Sequence, residues 1–414
     1  MSNSPFISQN TGKHTLLLLS FLILVIDMAF ASFTNISNYI ALPILVLWMA
    51  FILTSNIKIS KNERTFVIVS FLLLMVIVLY WVIRYSQLNV YTFMVNGNWL
   101  LLGVISIYVM KLFSARELSR VYFTITIIIF ALLFLFIGMG RVLLSVGEQN
   151  EAALVTTAWY GSLFMLFSGM SLVFFLHVKT MLPKIIALAI FLLSLYLNFS
   201  ILQRGTNVLF TIAEMGIILV FLLKRKGLVC FLSIAVLALT LYVYMSGLLV
   251  DMFDWLAEIV PSERLASRFK SISFALYYED IAAGGGSLNA RNRLIGVSWD
   301  TFTSSFGHFV FGAGEHHGEN TIIGHHSFFT DTLARYGIIG GVMVFVYFKK
   351  QYQIIMSYLD KNTDWALYMQ CAVVFLFYVL RNYYGQLAYA LVNLVLLVFF
   401  PLTFQLIQFY KNKS

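Results

Sequence analysis

Residues 65–83 read TFVIVSFLLLMVIVLYWVI, with Arg64 immediately before the run and Arg84 immediately after it. A helix needs about 20 mostly apolar residues to cross a hydrocarbon core about 30 Å thick, and this stretch has that length and no charge inside it. Comparable runs recur at approximately 15 to 34, 36 to 54, 98 to 113, 121 to 139, 158 to 177, 185 to 202, 206 to 223, 228 to 247, 337 to 356, 365 to 381 and 386 to 408. The pattern predicts an all-α, polytopic transmembrane helix bundle of about 12 spans. The composition agrees: of 414 residues, 60% are hydrophobic and only 11% are charged, with a mean hydropathy of +0.88. A soluble core could not hide that much apolar surface, so membrane lipids are expected around the chain and no nucleic acid is expected as a partner.

The first run follows Lys13 and ends in Ala29-Phe30-Ala31, which imitates a signal-peptide cleavage site. With so many spans behind it, a retained first helix is expected. Cys230 and Cys371 both fall in apolar runs without a CxxC or zinc-like spacing, and read as packing residues.

Charge orients the bundle. With both termini cytoplasmic, the alternate connections holding Lys58, Lys61 and Arg64, then Lys111, Arg116 and Arg120, then Lys179 and Lys184, then Lys224, Arg225 and Lys226, and finally Lys349, Lys350 and Lys361 all lie inside. The cations left outside are Arg84, Arg141, Arg204, Arg264, Arg268, Arg291, Arg293, Arg335 and Arg381, with Lys270 as the one lysine among them. A topology signal needs only charge, whereas the planar five-donor guanidinium suits bidentate capture of phosphate or carboxylate. The outer face therefore reads as built for an anion, against the plainer account that these arginines only snorkel at the interface.

One connection is much longer than the others. Residues 248–335 separate the spans of 1–247 from those of 336–414, and a segment of that length is normally functional or disordered. Regular patterning argues for order. Met252, Phe253, Leu256, Ile259 and Val260 fall at helical spacing, and Pro261 is expected to open a second helix running through Arg268 and Ile272. After Gly284-Gly285-Gly286, a third pattern places Arg291, Leu294, Ile295, Ser298, Trp299 and Phe302 on one face, with Arg293 and Asp300 on another. A cation on an apolar stripe needs an acid or an anionic ligand, which singles out Arg291.

The following stretch, Phe306 to Gly318, is glycine-rich but lacks the GK[ST] ending and the preceding strand of a phosphate loop. His308, His316, His317, His325 and His326 gather in it and just beyond it. Adjacent histidine pairs without an HExxH or Cys/His framework argue against a metal, and a single histidine used as a base is the better reading. Arg141, in the outer connection with Glu148 and Glu151, has a weaker claim and reads equally as an ion pair. Asp27 and Glu214 are ionisable groups in otherwise apolar spans, where such a group faces a cavity or a partner; neither receives a role from the sequence.

The run His326-Ser327-Phe328-Phe329-Thr330-Asp331-Thr332-Leu333-Ala334-Arg335-Tyr336-Gly337-Ile338-Ile339-Gly340 resembles the hallmark of the O-antigen polymerase and O-antigen ligase superfamily. In that family a histidine ends the large periplasmic loop, a short amphipathic helix follows, and a glycine–apolar–apolar–glycine start opens the next span. Gly312-Ala313-Gly314 is similar to the family's "fGvG" element, Arg291 or Arg293 to its loop arginine, and Gln203-Arg204-Gly205 to its "S-R-G" motif. The chain departs from the family where His-Asn is common and His326-Ser327 stands, and His325 is an alternative equivalent offset by one residue. The distance from His326 to Gly337 favours His326.

The resemblance implies a metal-independent glycosyltransferase of the bacterial inner membrane that needs no cofactor and works on its periplasmic side, with the catalytic motifs in the 248–335 loop. The donor would be a glycan on undecaprenyl pyrophosphate. In a polymerase the acceptor is another lipid-linked repeat unit, and in a ligase it is a sugar of the lipid A core. His326 would take the proton of the attacking hydroxyl, while Arg204 with Arg291 and Arg293 would hold the pyrophosphate. A chain-length regulator is admitted as a further partner. The non-enzyme rival is a lipid-linked oligosaccharide flippase, which should lack a folded external loop and show internal repeats that are not visible here.

Overall fold

The computed structural model describes residues 37–85, 90–115, 151–198, 205–223, 248–261, 263–277, 286–314, 327–359, 365–381 and 395–412, with isolated positions at 17, 19–21, 23, 227, 323–324 and 393. The described residues contain helices and no strand. Two helices, Lys61–Tyr80 and Phe328–Ser357, are long and apolar enough to cross a membrane, and shorter apolar helices include Leu163–His177, Met181–Tyr196 and Trp365–Arg381. The runs expected at 121 to 139 and 228 to 247, and most of 15 to 34, lie outside the described residues.

The chain forms two compact units. The first takes Met1–Ile137, Met343–Tyr358 and Ala388–Leu406, and the second takes Gly138–Val342, Leu359–Leu387 and Ile407–Ser414. In the first unit, α1 (Ser37–Thr54), α2 (Lys61–Tyr85) and α3 (Val90–Ala115) come in chain order. Apolar residues run all round α3, and it is buried on almost every side from Leu100 to Leu112, as a helix without a polar face must be. Ser60-Lys61-Asn62-Glu63 starts α2 with a capping box: the Ser60 N–H donates to Glu63 Oε2 at 2.6 Å and the Glu63 N–H donates back to Ser60 Oγ at 3.3 Å. The same buried carboxylate pairs with Lys111 at 2.9 Å. Burial first, and then that carboxylate, push the Tyr358 phenol above the ordinary tyrosine range.

Helix α2 is apolar on two faces. Phe66, Val69, Leu73 and Ile77 are buried, while Ile68, Leu72, Met75 and Leu79 are exposed at helical spacing on the other side. A stripe of that kind on a folded surface marks a face for lipid or for another apolar surface.

The second unit holds α4 (Glu151–His177), α5 (Met181–Tyr196), α6 (Gly205–Val220), α7 (Leu248–Ile259), α8 (Glu263–Tyr277), α9 (Gly286–Thr303), α10 (Phe306–Phe311) and α12 (Trp365–Arg381). Helix α11 (Phe328–Ser357) begins in this unit and ends in the first. Helices α4, α6 and α12 pack on one another, with α5 against α4.

The long connection belongs to the second unit and is helical where described. Helices α7 and α8 form a hairpin around Phe253 and Phe269, with Leu256, Ala257, Val260 and Ile272 against them. One expectation is corrected here. Pro261 lies in the exposed turn and α8 starts at Glu263, so the proline separates the helices and does not open the second. Met252 and Ile259, at the expected helical spacing, are exposed beside Trp255, and the hairpin core takes the Phe253, Leu256 and Val260 side.

Candidate functional site

The site region is built on α9. Ser298 is the polar residue on that helix's apolar stripe, and it is wholly buried. Its hydroxyl donates to Asp331 Oδ1 at 2.6 Å and accepts the Gly324 N–H at 2.9 Å. Asp331, itself buried in the first turns of α11, accepts the Ser327 N–H on its other oxygen at 3.2 Å. Ser327 in turn starts α11: its hydroxyl accepts the Thr330 N–H at 3.5 Å and its carbonyl accepts the Asp331 N–H at 2.9 Å. One carboxylate thus ties together the helix start and α9.

Gly324 comes so close to α9 that a Cβ would overlap the Leu294 carbonyl, which leaves glycine alone able to stand there. The residues that flank the histidine pair, Gly324 and Ser327, are therefore both held by buried hydrogen bonds to α9 and α11. His325 and His326 themselves lie outside the described residues.

The second part of the site is the Gly312-Ala313-Gly314 element. Helix α10, capped by Ser305 Oγ accepting the His308 N–H at 3.1 Å, delivers it directly. Gly337 then breaks α11 with φ 62 and ψ −165. An unbroken helix would use the Ala334 and Arg335 carbonyls for its next turn. Freed by the break, they accept the Ala313 N–H at 2.7 Å and the Gly314 N–H at 2.9 Å. The Val310 carbonyl lies against Gly337 where a side chain would have to go. Both glycine motifs seen in the sequence are thus halves of a single joint.

Arg293 is exposed on α9. Arg291 lies in the same helix; its side chain, like Arg141, Arg204 and Asp27 altogether, lies outside the described residues. His308 is half-buried on α10 and bonds Ser304 Oγ through Nδ1 at 2.7 Å, which engages it locally. No group of His, Cys, Asp and Glu among the described residues could hold a metal ion. Arg381, expected at the outer end of its span, is buried at the end of α12, only 4% exposed.

Sequence reasoning did not single out Asp331, Ser327 or Gly324 as parts of the site. The signals were present: a serine in the middle of the mostly apolar stripe of α9, and a serine followed by an acid at the start of an apolar helix. No family model matches this chain, and no curated protein matches it either.

Proposed function

We propose that this chain is a polysaccharide polymerase of about 12 spans that joins lipid-linked repeat units on the periplasmic side of the bacterial inner membrane. The reading rests on the sequence resemblance, and one structural observation supports it: the Gly312-Ala313-Gly314 element is bonded to the turn of α11 that ends at the Gly337 break, and the flanks of the histidine pair are pinned to α9 and to the start of α11. Residues that the resemblance groups by order alone are thus joined by specific hydrogen bonds. The exposed apolar stripe of α2, together with Ile338, Val342 and Phe345 on α11, supports lipid as the surrounding medium.

In this reading His326 accepts the proton of an acceptor sugar hydroxyl as its oxygen attacks the anomeric carbon of the donor glycan. The bond from that carbon to undecaprenyl pyrophosphate breaks, and Arg204, Arg291 and Arg293 take up the charge that develops on the leaving pyrophosphate. His325 and Arg141 are held as further candidates. No cofactor or metal enters the step.

A deletion strain tests it. Lipopolysaccharide carrying core plus a single repeat, restored to long chains by the wild-type gene and not by a His326→Ala gene expressed to the same level, is the expected result. Bare core with accumulated long lipid-linked chains would make the enzyme a ligase, and loss of periplasmic repeat units altogether would make it a flippase.

A further inference from the structure

Glu214 lies in the middle of α6 and is 0% exposed. Asn198, two residues past α5, and Thr211, one turn before Glu214, are also 0% exposed. The Asn198 amide donates from Nδ2 to Thr211 Oγ1 at 2.7 Å, which brings it onto the same face of α6 as Glu214. The Glu214 carboxyl rests against Gly169 of α4 and near Val374 of α12; a Cβ on Gly169 would overlap its oxygen, so the missing side chain makes the room that the carboxyl uses.

Neither carboxyl oxygen of Glu214, nor Asn198 Oδ1, meets a hydrogen-bond partner among the described residues. A buried polar group without a partner is costly, and a buried charge more so. The orphaned atoms are all oxygens that accept, so a cation or a hydrogen-bond donor would complete them and an anion would not. His177, the histidine of α4, is engaged with Gln370 of α12 at 2.6 Å, and Gln370 also donates to the Ile218 carbonyl at 2.8 Å. Glu214 is the one ionisable side chain of α6 itself.

We propose that Glu214, Asn198 and Thr211 form a buried binding site for a small monovalent cation of the sodium class. One carboxylate among neutral oxygens balances a single positive charge, and a divalent ion would leave excess charge in an apolar surround. Carboxylate, amide and hydroxyl oxygens are hard ligands, which suits an alkali cation and not a soft transition metal. Bound there, the ion would tie α6 to the end of α5, and its occupancy would stabilise the second unit by mass action.

The test uses the full-length protein purified in detergent. Thermal unfolding is followed at constant ionic strength while sodium chloride replaces choline chloride, and sodium retained per chain is measured by equilibrium dialysis with radioactive sodium. The expected results are a saturable rise in Tm with sodium, one ion retained per chain, loss of both in Glu214→Gln, and weakening in Asn198→Ala. A wild-type Tm that does not respond to sodium, with no ion retained, overturns the proposal and leaves Glu214 as a neutral structural acid. If Glu214→Gln does not fold, Thr211→Val replaces it, and undiminished sodium retention in that variant and in Asn198→Ala also overturns the site.

Discussion

Asp331 and Glu214 are both buried carboxyl groups in the second unit, and they are treated in opposite ways. Asp331 receives a hydroxyl on one oxygen and a backbone N–H on the other, and it joins two helices by doing so. Glu214 receives nothing from the described chain on either oxygen. The first is a pin, completed by the fold. The second is a group that the fold buries and does not complete, which is how an ionisable residue inside an apolar bundle differs from a structural one.

The largest effect that would break the comparison is at Gly324. In Gly324→Ala the new Cβ meets the Leu294 backbone, which cannot move aside as a flexible side chain could, so the segment must leave α9. Polymer should be abolished, and limited proteolysis should cut between α10 and α11. A variant with wild-type chains and unchanged proteolysis would show that the pin does not hold the histidine flanks.

Next in size, Asp331→Ala strips two buried donors of their acceptor and should cost about 2 to 5 kcal/mol in unfolding free energy. Asp331→Asn should cost less, because one carbonyl oxygen still accepts. Ser298→Ala should cost about 1 to 3 kcal/mol, and the double variant should fall short of the sum because both residues share one bond. Strict additivity in thermal denaturation would separate the two residues and dissolve the pin.

Smaller, and confined to activity, is the effect at the exposed guanidinium of α9. Arg293→Lys keeps the charge and loses the paired donors, so polymerisation should slow by about 10- to 100-fold with Tm unchanged. Arg84→Lys, at the outer end of an expected span, should be silent. Full activity in both variants would reduce the outer arginines to interface anchors.

The smallest expected change sharpens the contrast most. In sodium-free buffer Glu214→Gln should unfold within about 0.5 kcal/mol of the wild type, the range of a substitution that disturbs no contact. The same acid-to-amide exchange costs stability at residue 331 and not at residue 214. A loss of several kcal/mol for Glu214→Gln without sodium would make Glu214 a second pin.

How far these features could be read in advance follows from their range. Helical runs, the long connection and its amphipathic pieces depend on residues three and four apart, so periodicity reveals them: α2, α7, α9 and α12 lie where their patterns put them. The Gly337 break was legible too, as a glycine beginning an apolar run. Pro261 was misjudged, because a proline serves a turn before a helix as readily as its first residue; and periodicity, which put Met252 and Ile259 on α7, did not say which of its apolar residues the hairpin covers.

By itself the sequence determined the all-helical class, the apolar stripes that call for lipid, the one folded connection, and the presence of an acid at Glu214 where an acid is expensive. Only the tertiary structure decided what those acids meet. Ser298 and Asp331 are 33 residues apart, and Gln370 and Ile218 are 152 apart. A hydrogen bond acts over about 3 Å and has no period along the chain, so its partners are chosen by packing. The same packing that gives Asp331 two donors leaves Glu214 against Gly169 with none among the described residues.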